Sequence, residues 1–188
     1  KILFFLVKTL NKFSFLKLIN LILYFKKSEH SFGYCEEKKL YFVKDNYNKH
    51  FFFNRERGFG LYYQGLKSRR EQLKNSYKLG HISFEENDLV IDCGANFGDL
   101  YLYLNSLSLK INYFGIEPGI KEFEALTYNT QKNKSLIKNK LFNIAFGKDN
   151  SKMDLFYSPS EADSSLIKTS NFITNFQIDV QTIDQFLI

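Results

Sequence analysis

The sequence has few cysteines, prolines and glycines, and it has no tryptophan. Its 188 residues include 2 cysteines, 2 prolines and 10 glycines. Two cysteines are too few for a disulfide framework, and Cys93 lies in an apolar run where a reduced core thiol is expected. Because prolines and glycines are scarce and 44% of the residues are hydrophobic, the composition argues against disorder. It favours one packed domain with an extension, in a reducing, cytoplasmic compartment.

Histidines and long apolar runs are scarce as well. The three histidines, at 30, 50 and 81, lie far apart and have no cysteine or acidic partner at metal-ligand spacing, so we expect no metal. The longest apolar stretch, 18–25, is shorter than the roughly 20 residues that a membrane-spanning helix needs. The apolar run 2–7 has no small-residue cleavage pattern after it, which argues against a secretory signal.

The formal charge of +6 is concentrated in the first half of the chain. Residues 1–88 contain 17 Lys/Arg against 9 Asp/Glu, whereas residues 89–188 contain 9 against 11. Residues 1–27 have apolar positions at helical spacing, which predicts one or two basic helices. These helices either pack on the main domain with a solvated basic face or contact an anionic membrane or glycan, and the sequence leaves both interpretations open.

The segment from 28 to 86 combines short strands with a charged helix. Residues 40–43 and 51–53 are predicted as strands, separated by a turn at 45–48. Residues 55–79 are predicted as one helix that Gly80 ends. No low-complexity linker follows, so we expect the two halves to pack together. The predicted division is a basic extension at 1–54, a lead-in helix region at 55–86, and an α/β part at 87–188.

Strands and helices alternate from residue 87 onward. Predicted strands are 89–91, 113–116 and 141–146, and predicted helices are 100–107 and 121–131. This rhythm is typical of the first half of a parallel, doubly wound, Rossmann-like α/β sheet. The first strand is a continuous apolar run, so we expect it to be buried on both faces. Residues 153–157 and 179–182 are predicted as additional strands, which form a β insertion.

A glycine-containing loop follows the first of these strands. Residues 92–98 read Asp-Cys-Gly-Ala-Asn-Phe-Gly. Gly94 and Gly98 allow a tight turn and a close approach of the backbone to a ligand. Asp92 would repel a phosphate and attract a cationic ammonium or sulfonium. Asn96 could alternatively cap the next helix.

The second strand ends in another carboxylate. Glu117 lies 25 residues after Asp92 and is followed by Pro118. A carboxylate in this position can accept hydrogen bonds from both hydroxyls of a ribose, although a solvated carboxylate is the simpler alternative. The glycine spacing, Gly-x-x-x-Gly, differs from the Gly-x-Gly-x-x-Gly of dinucleotide-binding proteins. Together the loop and the two carboxylates predict a nucleoside cofactor.

Five motifs in order resemble those of FkbM-type methyltransferases. Residues 90–98 resemble the first motif, and Ile116-Glu117-Pro118 followed by Leu126 and Asn129 resembles the second. The other three are Asn-Ile-Ala-Phe-Gly at 143–147, Ser164-Ser165-Leu166, and Val-Gln-Thr-Ile-Asp at 180–184. The helix at 55–79 also resembles the lead-in helix of some members. The resemblance covers about residues 55–188.

The resemblance implies a class I methyltransferase fold that uses S-adenosylmethionine. It places Asp92, Gly94, Asn96 and Gly98 around the methionyl part. It places Glu117 at the ribose, and Asn143 and Ala145 near the adenine. The candidate cofactor-binding residues are Asp92, Gly94, Ala95, Asn96, Gly98, Glu117, Pro118, Asn143 and Ala145. Family members typically methylate hydroxyl groups, often of sugars or polysaccharide precursors, so a small-molecule or glycan acceptor is expected. No base-flipping motif indicates a nucleic-acid substrate.

One departure from the family concerns the end of the chain. In the family, a strand similar to Leu-Lys-Ile-Asp-x-Glu-Gly follows the segment that matches 182–186, and this chain stops at Ile188. We therefore expect a fragment in which the strand at 89–91 is an unprotected apolar edge. The catalytic base is not assigned, and Asp184 is expected to cap a helix.

Two other functions stay open on the sequence. The first is an NAD-dependent oxidoreductase built on the same half-fold. The second is a non-catalytic module in which the basic helices bind a membrane or a glycan-assembly partner.

Overall fold

The computed structural model of the chain describes residues 2–132, 135–157, 166–167 and 174–187. The helices are α1 (Ile2–Thr9), α2 (Lys12–Phe25), α3 (Arg55–Tyr62), α4 (Gly65–Ser76), α5 (Asp99–Asn105), α6 (Ile120–Lys132) and α7 (Ile183–Phe186). The strands are β1 (Ser31–Cys35), β2 (Leu40–Lys44), β3 (Lys49–Phe52), β4 (Leu89–Cys93), β5 (Asn112–Ile116), β6 (Lys138–Phe142), β7 (Ala145–Phe146), β8 (Ser151–Tyr157) and β9 (Thr174–Gln181).

The first part of the chain forms two helices on a small antiparallel sheet of order β1-β2-β3. The predicted helices in 1–27 and the strands that became β2 and β3 are confirmed, whereas β1 was not predicted. Asn11 caps α2, because its side-chain oxygen accepts from the Ser14 N–H at 2.9 Å. The inward face of α2 contributes Phe15, Ile19 and Leu23 to the core. This apolar periodicity fixes which side of the helix faces the protein.

The prediction of one helix over 55–79 is wrong, because the segment forms α3 and α4. The break occurs at Gly65, whose φ of +86° is readily adopted only by glycine. The ring of His30 lies 2.7 Å from where a Cβ on Gly65 would stand, so a larger residue would also force this ring to move. Helix α4 ends at Ser76, and Gly80 lies within a short 3₁₀ helix, Leu79–His81, rather than ending a long helix.

The centre of the protein is an α/β unit with a parallel sheet of order β4-β5-β6. Helices α5 and α6 connect the three strands. Tyr101 and Leu104 from α5 and Leu126 from α6 form one buried cluster with Tyr113 of β5. Both helices therefore cover the same face of the sheet. On β5, the adjacent residue Phe114 instead contacts the ring of Phe186 in α7, with ring centres 6.1 Å apart.

Strand β4 is an edge strand of the sheet among the described residues, so the expectation that it is buried on both faces is wrong. Leu89 is 51% exposed, and Val90 and Ile91 are only half-buried. The expectation of an apolar edge is confirmed for the described part of the chain. Cys93 is exposed at the end of this strand, so it is not the core thiol that its apolar neighbours predicted.

The predicted strand at 141–146 is two strands in two sheets. Strand β6 begins earlier, at Lys138, and pairs with β5, whereas β7 pairs with β9 in a sheet of order β7-β9-β8. The chain turns between them at Asn143, whose side-chain nitrogen donates to the backbone oxygens of Glu117 and Pro118 at 2.8 and 3.1 Å. The continuous apolar run at 141–146 therefore did not show that the chain passes from one sheet to another. The strands predicted at 153–157 and 179–182 are present but begin earlier than predicted.

The basic half and the α/β half share one core. Phe51 and Phe59 from the first half are buried together with Phe97, Leu102 and Ala125 from the second. The two halves are thus packed together, as the missing linker predicted. Of the described helices, none has the length and apolar character needed to cross a bilayer.

Candidate functional site

The loop from β4 to α5 folds back over the end of β5. The backbone N–H groups of Gly94 and Ala95 both donate to the carbonyl oxygen of Ile116, at 2.9 Å each. Gly94 and Gly98 have φ angles of +82° and +84°, which favour glycine. A Cβ at Gly94 would have no neighbour within 4 Å, whereas one at Gly98 would lie 2.9 Å from Leu126. Gly98 therefore fits the helix packing, and Gly94 borders open space where a ligand can approach.

Asn96 lies within this loop, and its side chain is not fully hydrogen-bonded. Its backbone N–H donates to the Glu117 carboxylate at 2.8 Å. Its side-chain oxygen is buried and has no hydrogen-bond partner in the structure. The alternative that Asn96 caps the next helix is therefore wrong, since α5 begins after Gly98. Buried acceptors in proteins normally have a hydrogen-bond partner. A donor group on a ligand would provide one for the Asn96 oxygen.

Glu117 is a buried carboxylate rather than a solvated one. It is 5% exposed and accepts from the backbone N–H groups of Gly119 and Asn96 at 2.7 and 2.8 Å. The pKa of Glu117 is raised to about 7, chiefly by burial and to a smaller extent by the charges of Glu122 and Asp92, whereas the two backbone bonds lower it. An ionised carboxylate has about four acceptor positions, so two remain for a ligand.

Asp92 lies at the end of the neighbouring strand. Its carboxylate accepts from the hydroxyl of Tyr113 at 2.6 Å. Burial raises the pKa of Asp92, the bond from Tyr113 lowers it, and the charge of Asp99 raises it. The charge of Asp92 also raises the pKa of Glu117, so the two carboxylates are close enough to repel each other. A cation bound beside them would relieve this repulsion.

A further buried carboxylate, Glu122, was not predicted from the sequence. It lies in the first turn of α6, is 2% exposed, and has one side-chain oxygen with no hydrogen-bond partner in the structure. Burial raises the pKa of Glu122. Gly119 separates it from Glu117, and a Cβ at Gly119 would lie 2.9 Å from the Glu117 carboxylate. The only sequence signal was a glutamate in the first helical turn, a common position for helix capping.

Asn129 connects the loop at 94–98, which we call the glycine loop, to the N-terminal sheet of β1, β2 and β3. Its side chain is completely buried. The side-chain oxygen accepts from the Phe51 N–H at 2.6 Å, and the side-chain nitrogen donates to the carbonyls of Phe51 and Phe97 at 2.9 and 2.6 Å. Asn129 therefore holds strand β3 and the glycine loop in a fixed relation. From the sequence, Asn129 was identified only as part of a motif, without this role.

Asp99, the residue after the loop, forms a second buried connection. It accepts from the Tyr62 hydroxyl at 2.6 Å and from Arg69 at 2.5 and 3.0 Å, and the ring of His50 lies 3.4 Å away. Burial alone would raise the pKa of Asp99. The hydrogen bonds and charges of His50 and Arg69 outweigh the effect of burial and hold the pKa of Asp99 well below its usual range. The first turn of α5 is thereby tied to the N-terminal half.

Two of the remaining predicted residues, Asn143 and Ala145, follow the end of β6. Asn143 is exposed and binds the turn at Glu117 and Pro118, whereas Ala145 is buried in β7. Ser164 and Ser165 lie outside the described residues. Asp184 does not cap α7, so that prediction is wrong. The cap is Thr182, whose side-chain oxygen accepts from the Gln185 N–H at 3.3 Å.

No protein-family model, curated protein or solved structure matches the chain. The residues and their geometry are therefore the basis for any functional assignment. They bring Asp92, Gly94, Asn96 and Glu117 together at the carboxyl edge of the parallel sheet, where ligands bind in open α/β sheets. Asn143 adjoins this group through its bonds to Glu117 and Pro118.

The raised pKa of Glu117 predicts that stability falls with increasing pH. Between 4.5 and about 7 the folded chain holds the Glu117 proton more tightly than the unfolded chain. The free energy of unfolding should therefore decrease through this window, by roughly 3 kcal/mol in total. Glu117→Gln cannot ionise, so the unfolding free energy of the wild type should fall relative to this variant from pH 4.5 to 8.

Urea unfolding followed by circular dichroism at several pH values measures this difference. The control is Glu124→Gln, which changes an exposed carboxylate on the same helix as Glu122. Its free energy of unfolding should change with pH in the same way as that of the wild type. If the free energy of unfolding of Glu117→Gln also follows the wild type at every pH, a buried ionisable group at this position is contradicted.

Proposed function

We propose that the chain contains the cofactor-binding site of an S-adenosylmethionine-dependent methyltransferase of the FkbM type, with a class I methyltransferase fold. The proposal depends most on one observation. Buried Glu117, at the end of β5, bonds to the glycine loop that follows β4, so both strand ends contribute to one site. The order of the five sequence motifs supports the same assignment.

The residues present fit this cofactor. S-adenosylmethionine would supply a methyl group on a cationic sulfonium. The two carboxylates, Asp92 and Glu117, provide negative charge that favours a cation. Glu117 has acceptor positions for the two ribose hydroxyls, and the unpartnered oxygen of Asn96 can accept from a further donor. The open space beside Gly94 allows the backbone to approach the ligand closely.

In this proposal the residues of the site act mainly by positioning. Asn129 and Asp99 hold the glycine loop against the N-terminal half, so that the loop is formed before a ligand binds. Such preorganisation places a reactive group in line with an acceptor and accounts for much of the acceleration in transfer reactions. The proposed acceptor is a hydroxyl group of a sugar, a polysaccharide-type molecule or another small molecule. An NAD-dependent oxidoreductase is less well supported, because Asp92 would oppose a pyrophosphate at this strand end.

Titration calorimetry with S-adenosylmethionine, S-adenosylhomocysteine and NAD⁺ tests the proposal. We expect both adenosyl compounds to bind the full chain. Glu117→Ala should weaken binding by about tenfold or more, because the ligand would lose its hydrogen bonds to the carboxyl group. Glu124→Ala should leave the affinity unchanged. Thermal unfolding of each variant shows whether it is folded at the temperature of the titration.

The outcomes separate the alternatives. Binding of NAD⁺ without binding of the adenosyl compounds would replace the methyltransferase proposal by the oxidoreductase one. Binding of S-adenosylhomocysteine that Glu117→Ala leaves unchanged would overturn the ribose assignment. No binding of any of the three by a folded chain would count against a nucleoside site in the chain as it stands.

A further inference from the structure

Helix α2 has a second apolar face that points away from the protein. Phe15, Ile19 and Leu23 are buried on its inner side. Its outer side exposes one row of side chains at helical spacing, which we call the α2 stripe. The α2 stripe consists of Phe13, Lys17, Leu21, Tyr24 and Phe25. Exposed apolar side chains scattered singly are ordinary, whereas a group of large apolar side chains exposed on one face indicates an interaction surface.

The exposure within the α2 stripe is large. Phe13, Tyr24 and Phe25 are 62%, 76% and 74% exposed, and Leu21 is 52% exposed. The orientation of the helix is fixed, because the side chain of Asn20 donates to the Phe32 carbonyl and accepts from the Phe32 N–H, at 2.8 Å each. The row therefore cannot turn inward without breaking these two bonds.

The charged side chains of residues 1–27 all have one sign. Residues 1–27 contain six lysines and no aspartate or glutamate. Lys8 and Lys12 pair with Glu56 and Glu36 of the following segments. Lys17 lies within the stripe, and Lys27 is the second residue after the helix. Among the described residues no ion pair is found for either. Two cations thus lie beside the exposed aromatic rings.

We propose that the α2 stripe lies on the surface of an anionic lipid bilayer. Aromatic rings favour the boundary between headgroups and acyl chains, and lysines are attracted to anionic headgroups. A helix with lysines and large apolar residues on one exposed face is typical of binding in the plane of the interface. An anionic glycan would account for the lysines but not for four exposed apolar side chains. This surface is separate from the proposed cofactor site, so either proposal can fail without the other.

Co-sedimentation of the full chain with vesicles tests the proposal. The two vesicle types are phosphatidylcholine alone and phosphatidylcholine with about one third phosphatidylserine. We expect binding to the anionic vesicles that weakens in high salt. Lys17→Gln and Lys27→Gln should each reduce the partition coefficient by about fivefold. The double variant Tyr24→Ser with Phe25→Ser should reduce it by tenfold or more, because two interfacial rings are lost.

Matched controls use exposed residues elsewhere. Tyr47→Ser removes a ring that is 90% exposed in the turn between β2 and β3, and Lys67→Gln removes an exposed lysine of α4. Both should bind vesicles like the wild type. Because the α2 stripe is exposed, its variants should keep the thermal unfolding temperature of the wild type, and the lysine variants remain informative if the double variant does not fold.

Three outcomes would overturn the proposal. The first is no binding to anionic vesicles, and the second is equal binding to neutral and anionic vesicles. The third is a dimer in sedimentation velocity that the stripe variants dissociate while vesicle binding is absent. In that case the α2 stripe would be an interface between two copies of the chain.

Discussion

Replacing Asn129 with alanine is expected to lower the free energy of unfolding by about 4 kcal/mol. The side chain is fully buried and bonds to three backbone groups, the N–H and carbonyl of Phe51 and the carbonyl of Phe97. Alanine would leave these groups buried without partners, and each such loss costs roughly 1–3 kcal/mol. The cavity left by the amide adds to this cost. Few single substitutions in the chain should be as damaging.

Equilibrium urea unfolding monitored by far-ultraviolet circular dichroism measures this effect. Asn46→Ala serves as the control, since Asn46 is exposed in the turn before β3, and it should change the unfolding free energy by no more than about 0.5 kcal/mol. Asn129→Asp is a sharper test. Aspartate keeps an acceptor for the Phe51 N–H but has no donor for the two carbonyls, so it should not restore stability. A loss below about 1 kcal/mol for both variants would show that Asn129 does not connect the loop to β3.

The second large effect is expected for Arg69→Met, which should cost about 3 to 5 kcal/mol. Arg69 donates to the Asp99 carboxylate through two nitrogens, and both side chains are largely buried. Methionine retains much of the apolar volume but leaves Asp99 as a buried charge with fewer partners. The double variant Arg69→Met with Asp99→Asn removes that charge. It should recover more than half of the loss, because the Tyr62 hydroxyl can still donate to the asparagine oxygen.

A double-mutant cycle with pH as a second variable tests this prediction. Asp99 has a lowered pKa, so its favourable contribution is complete above its ordinary value of 3.8 and is lost as the pH falls below it. The difference between wild type and Arg69→Met should therefore be constant near pH 7 and should shrink in acid. Arg70→Met is the matched control on the same helix. If Arg69→Met and the double variant lose the same free energy of unfolding, the unpaired buried charge of Asp99 is not the cause of the destabilisation.

The parts of the site that could be predicted depend on local pattern and on a general property of parallel sheets. The apolar runs before Asp92 and Glu117 predicted two strands, and the glycines between them predicted a loop and a helix. Since parallel strands end at the same edge of a sheet, the two carboxylates had to lie near each other. The structure agrees on the strands and on the loop bonded to Glu117. The proposed cofactor and the reaction remain predictions.

Other features depended on contacts between residues far apart in the chain. Asn129 binds a backbone group 78 residues away, and Asp99 pairs with Arg69 at a separation of 30 residues. A local pattern could not predict their burial, because burial depends on which segments meet. For the same reason the sequence did not show that Glu117 and Glu122 are desolvated, or that Cys93 is exposed at a sheet edge.

By itself, the sequence determined the alternation of strands and helices between residues 89 and 132 and the spacing of the two carboxylates, since these follow from side-chain periodicity and backbone preference along a short segment. Only the tertiary structure decided where the long helix breaks, where the third strand changes sheet, and which face of α2 remains exposed. Gly65 breaks the helix beside His30, and Asn143 turns the chain by bonding to residues 25 and 26 positions earlier. Each of these decisions depends on packing and hydrogen bonds between distant segments, and such free energies exist only once the chain has folded.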